Sequence, residues 1–262
     1  MVKLNIFQVD AFTNKVFRGN PAAVCPLEAW LSDDVMQQIA MENAVAETAF
    51  FVMNNDGVEI RWFTPDIEMD LCGHATLAAA HVITKHLGYT DSCIEFNSKS
   101  GKLLVRVDEK FIHLNFPSRK PLIHKAPQII LDAFHIEPTE VLKSRDYVLV
   151  FENEEQIKSL QPDKRFFDQI NLDPGGVIVT AKGDSVDFVS RFFTPQASIL
   201  EDQVTGSAHC SLIPYWAEKL SKHEMTALQL SSRSGTLLCR NEGDRVQISG
   251  EAITYMVGTI SI

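Results

Sequence analysis

Arg61-Trp62-Phe63-Thr64-Pro65 is followed by Asp70-Leu71-Cys72-Gly73-His74-Ala75-Thr76 and an apolar run to Leu87. The pattern returns as Arg191-Phe192-Phe193-Thr194-Pro195, then Asp202-Gln203-Val204-Thr205-Gly206-Ser207-Ala208-His209 and a second apolar run to Leu220. The Arg-x-Phe-Thr-Pro blocks lie 130 positions apart, Gly73 and Gly206 lie 133 apart, and Ser98-Lys99-Ser100-Gly101 lies 134 before Ser232-Arg233-Ser234-Gly235. Three matches in one order at a nearly constant offset predict duplication of a single domain. Two similar halves are expected, residues 1–120 and 121–262, with the last strand able to pack on the first half. A small-ligand site is expected between them.

Outward from these blocks, each half reads as α+β. Residues 73–87 form a helix that is apolar over most of its circumference and closed by Gly88, and such a helix is buried on nearly all sides. Residues 205–220 repeat it, with Pro214 predicting a kink. Strands are expected at 4–9, 47–53, 58–64, 94–96, 103–107 and 111–116, and in the second half at 146–151, 177–181, 186–193, 228–230, 236–240, 245–249 and 254–260. The picture is a curved, mostly antiparallel sheet wrapped around a central helix, twice. Asn54-Asn55-Asp56-Gly57 and Asp173-Pro174-Gly175-Gly176 carry turn chemistry. The proline-rich stretch 117–145 is expected to join the halves.

Composition narrows the function. With a net charge of −10 the chain lacks the basic footprint of nucleic-acid binders and does not suit an anionic membrane surface. No apolar run approaches the ~20 residues of a membrane span, and the N-terminus reads as a strand rather than a leader. Cys25, Cys72, Cys93, Cys210 and Cys239 are an odd, scattered set, which fits reduced thiols in a cytoplasm. No dinucleotide, Walker or zinc-protease motif is present, so neither a metal nor a nucleotide is assigned.

Gly73 and Gly206 each open a helix. Free N–H donors and partial positive charge in a first helical turn hold anions, and glycine admits a ligand close to the backbone. A small carboxylate is the expected ligand, although either glycine alone could simply begin its helix. His74 stands opposite Ser207, and Cys72 opposite Thr205, so the polar residues differ while the frame repeats. Glu47 interrupts the apolar stretch Ala44–Val52. A carboxylate losing hydration there favours its protonated form and suits proton exchange; on an edge strand it would instead face water. His74 and Asp202 could orient Glu47 or share its proton. Either could equally be structural, His74 as a hydrogen-bonding residue and Asp202 as a helix-dipole partner. Cys72 at a helix start could be an activated thiolate or an inert buried thiol.

Asp10-Ala11-Phe12-Thr13, Phe17-Arg18-Gly19-Asn20-Pro21-Ala22-Ala23-Val24, Glu47-Thr48-Ala49-Phe50, Leu71-Cys72-Gly73-His74-Ala75-Thr76 and Glu201–His209 together resemble the PhzF-like phenazine-biosynthesis isomerase family. The resemblance implies the diaminopimelate-epimerase-like fold and a cofactor-independent, commonly homodimeric isomerase. It puts acid/base chemistry on Glu47, His74 and Asp202. Gly73, Gly206, Ser207, Cys72 and Thr205 then fall at the substrate. Related epimerases use a cysteine from each half; Thr205 stands where the second would be, which favours the glutamate. Gln203 replaces a usual proline, so a looser loop around Asp202 is expected, and Ala46 replaces a common serine. The alternatives are a Cys72-assisted epimerase or racemase, or a carboxylate-binding module without chemistry.

Overall fold

The strands and helices below belong to a computed structural model that describes residues 2–54, 57–172, 175–195 and 199–262. In chain order they are β1 (Lys3–Ala11), β2 (Asn20–Leu27), α1 (Asp33–Asn43), β3 (Glu47–Asn54), β4 (Gly57–Phe63), β5 (Glu68–Met69), α2 (Gly73–His86), β6 (Cys93–Ser98), β7 (Gly101–Val107) and β8 (Ile112–Pro117). There follow β9 (Leu122–Ile123), α3 (Gln128–Asp132), β10 (Glu140–Lys143), β11 (Tyr147–Val150), α4 (Glu154–Ser159), α5 (Lys164–Phe167), β12 (Val177–Lys182), β13 (Phe188–Phe193) and β14 (Glu201–Asp202). The chain ends with α6 (Gly206–Leu220), β15 (Glu224–Gln229), β16 (Gly235–Asn241), β17 (Arg245–Gly250) and β18 (Ala252–Ser261). The turns expected at 54–57 and 173–176 lie partly outside the described residues.

Two compact units are formed, Met1–Asn115 with Ile248–Ile262, and Phe116–Gln247. The last strand therefore belongs with the first unit. The stretch 117–145 is not a linker: it supplies β9, α3 and β10 to the second unit.

In the first unit β1 pairs antiparallel with β18 and β2, β2 parallel with β3, β3 antiparallel with β4, β4 parallel with β6, and β6 antiparallel with β7. The second unit repeats this rule by rule. There β10 pairs antiparallel with β9 and β11, β11 parallel with β12, β12 antiparallel with β13, β13 parallel with β15, and β15 antiparallel with β16. The sheets are thus mixed rather than simply antiparallel. Parallel neighbours need a long crossover, and helices supply it: α1 and α2 in one unit, α4 with α5 and then α6 in the other.

Burial follows the sequence pattern. Every residue of α2 from Gly73 to Ile83 is buried, as is α6 from Ala208 to Ala217. Packed clusters around Phe50, Phe63 and Met36, and around Phe134, Phe167 and Phe193, fill the two units. Among the described residues no helix is long and apolar enough to cross a membrane.

The repeated Arg-x-Phe-Thr-Pro block is a clasp. Arg61 forks onto Glu68 of β5 through Nε at 2.7 Å and Nη2 at 2.8 Å. Arg191 does the same to Glu201 of β14 at 2.7 and 2.9 Å. Each arginine also reaches its crossover segment: Arg61 Nη1 donates to Asp33 at 2.8 Å, and Arg191 Nη1 to the carbonyls of Ile157 and Leu160 at 3.1 and 2.6 Å. The threonines close the turn behind, with Thr64 N donating to Ile67 O and Thr194 N to Leu200 O, both at 2.8 Å. A planar fork matched to a carboxylate explains why arginine was kept in both copies.

Pro214 lies inside α6. Lacking an N–H, it leaves the carbonyl four residues earlier without its helical donor. That carbonyl, on Cys210, accepts the backbone N–H of Arg119 at 2.9 Å.

Candidate active site

The first unit gathers Glu47, Cys72 and His74 at the start of α2. β2 and β3 run parallel with Ala22 opposite Glu47, and the first turn of α2 carries His74 beneath them. Glu47 Oε2 lies 3.0 Å from His74 Nε2. Neither atom has a well-aligned hydrogen bond among the described residues, so this is a close ion-pair contact rather than a directed bond. Glu47 is 16% exposed and His74 3%. The solvent-facing alternative for Glu47 is therefore not adopted.

On the other nitrogen, His74 Nδ1 meets Asn20 Nδ2 at 3.1 Å and Cys72 Sγ at 3.5 Å. Burial alone would hold this imidazole neutral, but Cys72 and Glu47 outweigh it and place its pKa well above the ordinary histidine value. Burial, with Glu47 adding to it, lifts the Cys72 thiol to about 11. A thiol protonated near neutral pH carries no charge, so the Glu47 carboxylate is the partner that sustains the imidazolium. Of the two readings for Cys72, this burial favours the inert thiol over the activated thiolate.

Glu47, Cys72 and His74 offer three metal-capable atoms within 4.8 Å of one another. Sulfur and carboxylate, however, sit nearest different ring nitrogens, whereas an ion uses one nitrogen per imidazole. Their arrangement fits proton exchange across Nε2 better than a shared ligand set.

The second unit holds its own cluster at the start of α6. Thr205 Oγ1 donates to Asp202 Oδ2 at 2.6 Å. Gln229, fully buried, accepts from Thr205 N at 2.8 Å and donates to Asp202 O at 2.9 Å. Gln203 does not loosen this loop. Its Oε1 accepts from Ser232 Oγ and Arg233 N at 3.0 and 3.2 Å, and its carbonyl accepts from Ser231 Oγ at 2.7 Å. Ser207 Oγ accepts from Arg145 Nη2 at 3.1 Å, and Arg145 is itself oriented by the buried Asp146 at 2.9 Å.

Val177 of β12 pairs with Phe193 of the second Arg-x-Phe-Thr-Pro block as Thr48 of β3 pairs with Phe63 of the first. Val177 is thus the counterpart of Thr48, and Gly176 that of Glu47. Asn20 touches His74, and Arg145 touches Ser207. In each unit a residue at or shortly before the strand that precedes the first crossover thus touches the first turn of the buried helix, though from positions that do not match. Only the first copy carries the carboxylate. Sequence reading missed Asn20 and Arg145 as site residues. Gly19-Asn20-Pro21 belongs to the stretches that carry the family resemblance, but nothing local ties it to a helix more than fifty residues on.

Residues 9–258 match the family described as phenazine biosynthesis-like protein. The chain belongs to that family. A protein of Pseudomonas aeruginosa named as an uncharacterized isomerase is 47% identical over 261 residues, covering all of both chains. A mouse phenazine biosynthesis-like domain-containing protein is 39% identical, covering 99% of this chain and 100% of its own. The crystal structure of an Enterococcus faecalis protein of the PhzF family superposes with a TM-score of 0.95 at 42% identity, with both chains fully covered. A hydroxyproline epimerase of Agrobacterium vitis shares the fold alone, with a TM-score of 0.61 at 7% identity, covering 98% of this chain and 92% of its own. The family member described here thus has the epimerase-like α+β fold. Its first copy holds a carboxylate–imidazole pair, and its second a threonine in place of a second thiol.

Proposed function

We propose that this chain is a cofactor-independent isomerase that moves a proton on a small carboxylic acid by glutamate acid/base catalysis. The observation that carries it is the 3.0 Å approach of Glu47 to a buried His74, within a family whose relatives are named isomerases. Glu47 removes a proton from carbon, the electron pair enters an adjoining π system, and the proton returns at another carbon of that system. No net oxidation occurs and no second reactant is needed. His74 steadies the carboxylate and can donate or accept at Nε2. First-turn N–H groups of α2, next to Gly73, suit the substrate carboxylate. Asp202, Thr205, Gly206 and Ser207 are given binding roles for its polar groups, with Asp202 also able to share the proton. The assembly is proposed to be a homodimer in the cytoplasm.

Incubating small carboxylic acids, including unsaturated and amino-bearing ones, with the protein in heavy water tests this. Deuterium should enter one ligand at carbon in wild type and not in Glu47→Gln. Exchange that survives the substitution would remove Glu47 from the chemistry. Incorporation lost in Cys72→Ser instead would favour the Cys72-assisted epimerase. Calorimetric binding without any deuterium uptake would favour a binding module.

A further inference from the structure

Asn20 is fully buried and is delivered by a turn that only glycine can make. Gly19 has φ +65°, and a Cβ on it would lie 2.1 Å from the Ala11 carbonyl oxygen. The amide faces His74 Nδ1 at 3.1 Å, the ring edge opposite to the one that meets Glu47.

A neutral imidazole has one N–H and one lone pair, and imidazolium has two N–H groups. With the Asn20 NH₂ toward Nδ1, Nδ1 must accept, and the ring proton lies on Nε2, facing Glu47. When the ring gains a second proton, Nδ1–H would confront that NH₂. Half a turn of the carboxamide presents Oδ1 at the same place instead. A carboxamide is therefore suited to bond the ring in both states without moving it. A carboxylate could only accept, and an aliphatic isostere could do neither.

We infer that Asn20 is a positioning residue for His74, whose carboxamide holds the ring in both protonation states and keeps a proton on Nε2 toward Glu47 in each. The inference deepens the acid/base function proposed above and rests on it for its purpose, not for its geometry. Among the described residues, the titratable groups that face His74 are Glu47 from β3 and Cys72 at the head of α2; Asn20, at the head of β2, adds no charge of its own.

Long-range nitrogen–proton NMR of the histidine rings in the full chain, followed through a pH titration, tests it. Wild-type His74 should pass from doubly protonated to the Nε2–H form as pH rises. Asn20→Asp, which can only accept, should move that midpoint upward, with the pH profile of deuterium exchange moving alongside. Asn20→Leu should lose the preference for Nε2 and slow exchange by about tenfold or more. A proton found on Nδ1 in the neutral wild-type ring, or a midpoint unmoved in Asn20→Asp, would overturn the inference. Should neither variant fold, the wild-type tautomer alone decides. A correct tautomer and shift, together with no exchange on any ligand, would retain Asn20 as positioning residue and sink the isomerase instead.

Discussion

Glu47 Oε2 lies 3.0 Å from His74 Nε2, while His74 Nδ1 faces Asn20 at 3.1 Å. One ring thus touches a proton acceptor on one edge and a neutral amide on the other.

Removing the acceptor should leave the fold and disable the chemistry. Glu47→Gln keeps the volume, and general acid/base catalysis contributes roughly 10²–10⁴-fold, so exchange should fall by that order. His74 also loses the charge that sustains its imidazolium, and its pKa should drop. NMR titration of His74 in the variant checks both at once, because a misfolded chain would lose ring dispersion altogether.

The pH dependence of stability carries opposite signs for two histidines. His74 has a folded pKa well above its unfolded value. Its contribution is complete below the unfolded pKa of about 6.5 and is lost as pH rises through the folded one. His209 is buried with Nδ1 bonded to Thr205 O, and burial lowers its pKa to about 4. Its contribution is complete above pH about 6.5 and is lost as pH falls toward 4. Denaturant midpoints should therefore fall on acidification through that window, and less so in His209→Gln than in wild type.

The arginine clasps should behave alike in the two units. Arg61→Lys and Arg191→Lys keep charge but cannot fork onto Glu68 and Glu201, and each should cost about 1–3 kcal/mol, the usual effect of losing a charged hydrogen bond. Chemical unfolding measures this. The clasps share no partners, so the double variant should show nearly additive losses.

Gly19→Ala should be severe despite its size. It places a Cβ 2.1 Å from Ala11 O at φ +65°, where non-glycine residues already lose roughly 1–2 kcal/mol. Loss of activity should accompany loss of stability, since the same turn delivers Asn20. A thermal melt within a degree of wild type would contradict this.

The duplication was legible because it is written in residues that recur in one order at fixed spacing: Arg61 and Arg191, which fork onto carboxylates, and Gly73 and Gly206, which open the buried helices. Glu47 and His74 stood out because charge interrupts apolar runs there. Asn20 and Arg145 did not, since each meets a helix start far along the chain and leaves no periodic trace. The parallel pairings of β2 with β3 and β4 with β6 were hidden too, because alternation reveals a strand's exposed face but not its neighbour's direction. The prolines at 117, 121, 127 and 138 suggested a linker, yet they fall in or beside short strands and a helix of the second unit. Gln203 in place of a proline points to a looser loop, whereas its amide oxygen accepts from Ser232 and Arg233 and ties the loop down.

The bond from Arg119 N to Cys210 O exists because Pro214 left that oxygen unclaimed. Restoring the helical donor with Pro214→Ala would bring a second N–H to an oxygen that already accepts one, so the two would have to share its lone pairs. A change that repairs α6 in isolation would thus crowd the segment that carries Arg119, so the break in the helix and the path of the strand-end beside it are coupled through a single oxygen.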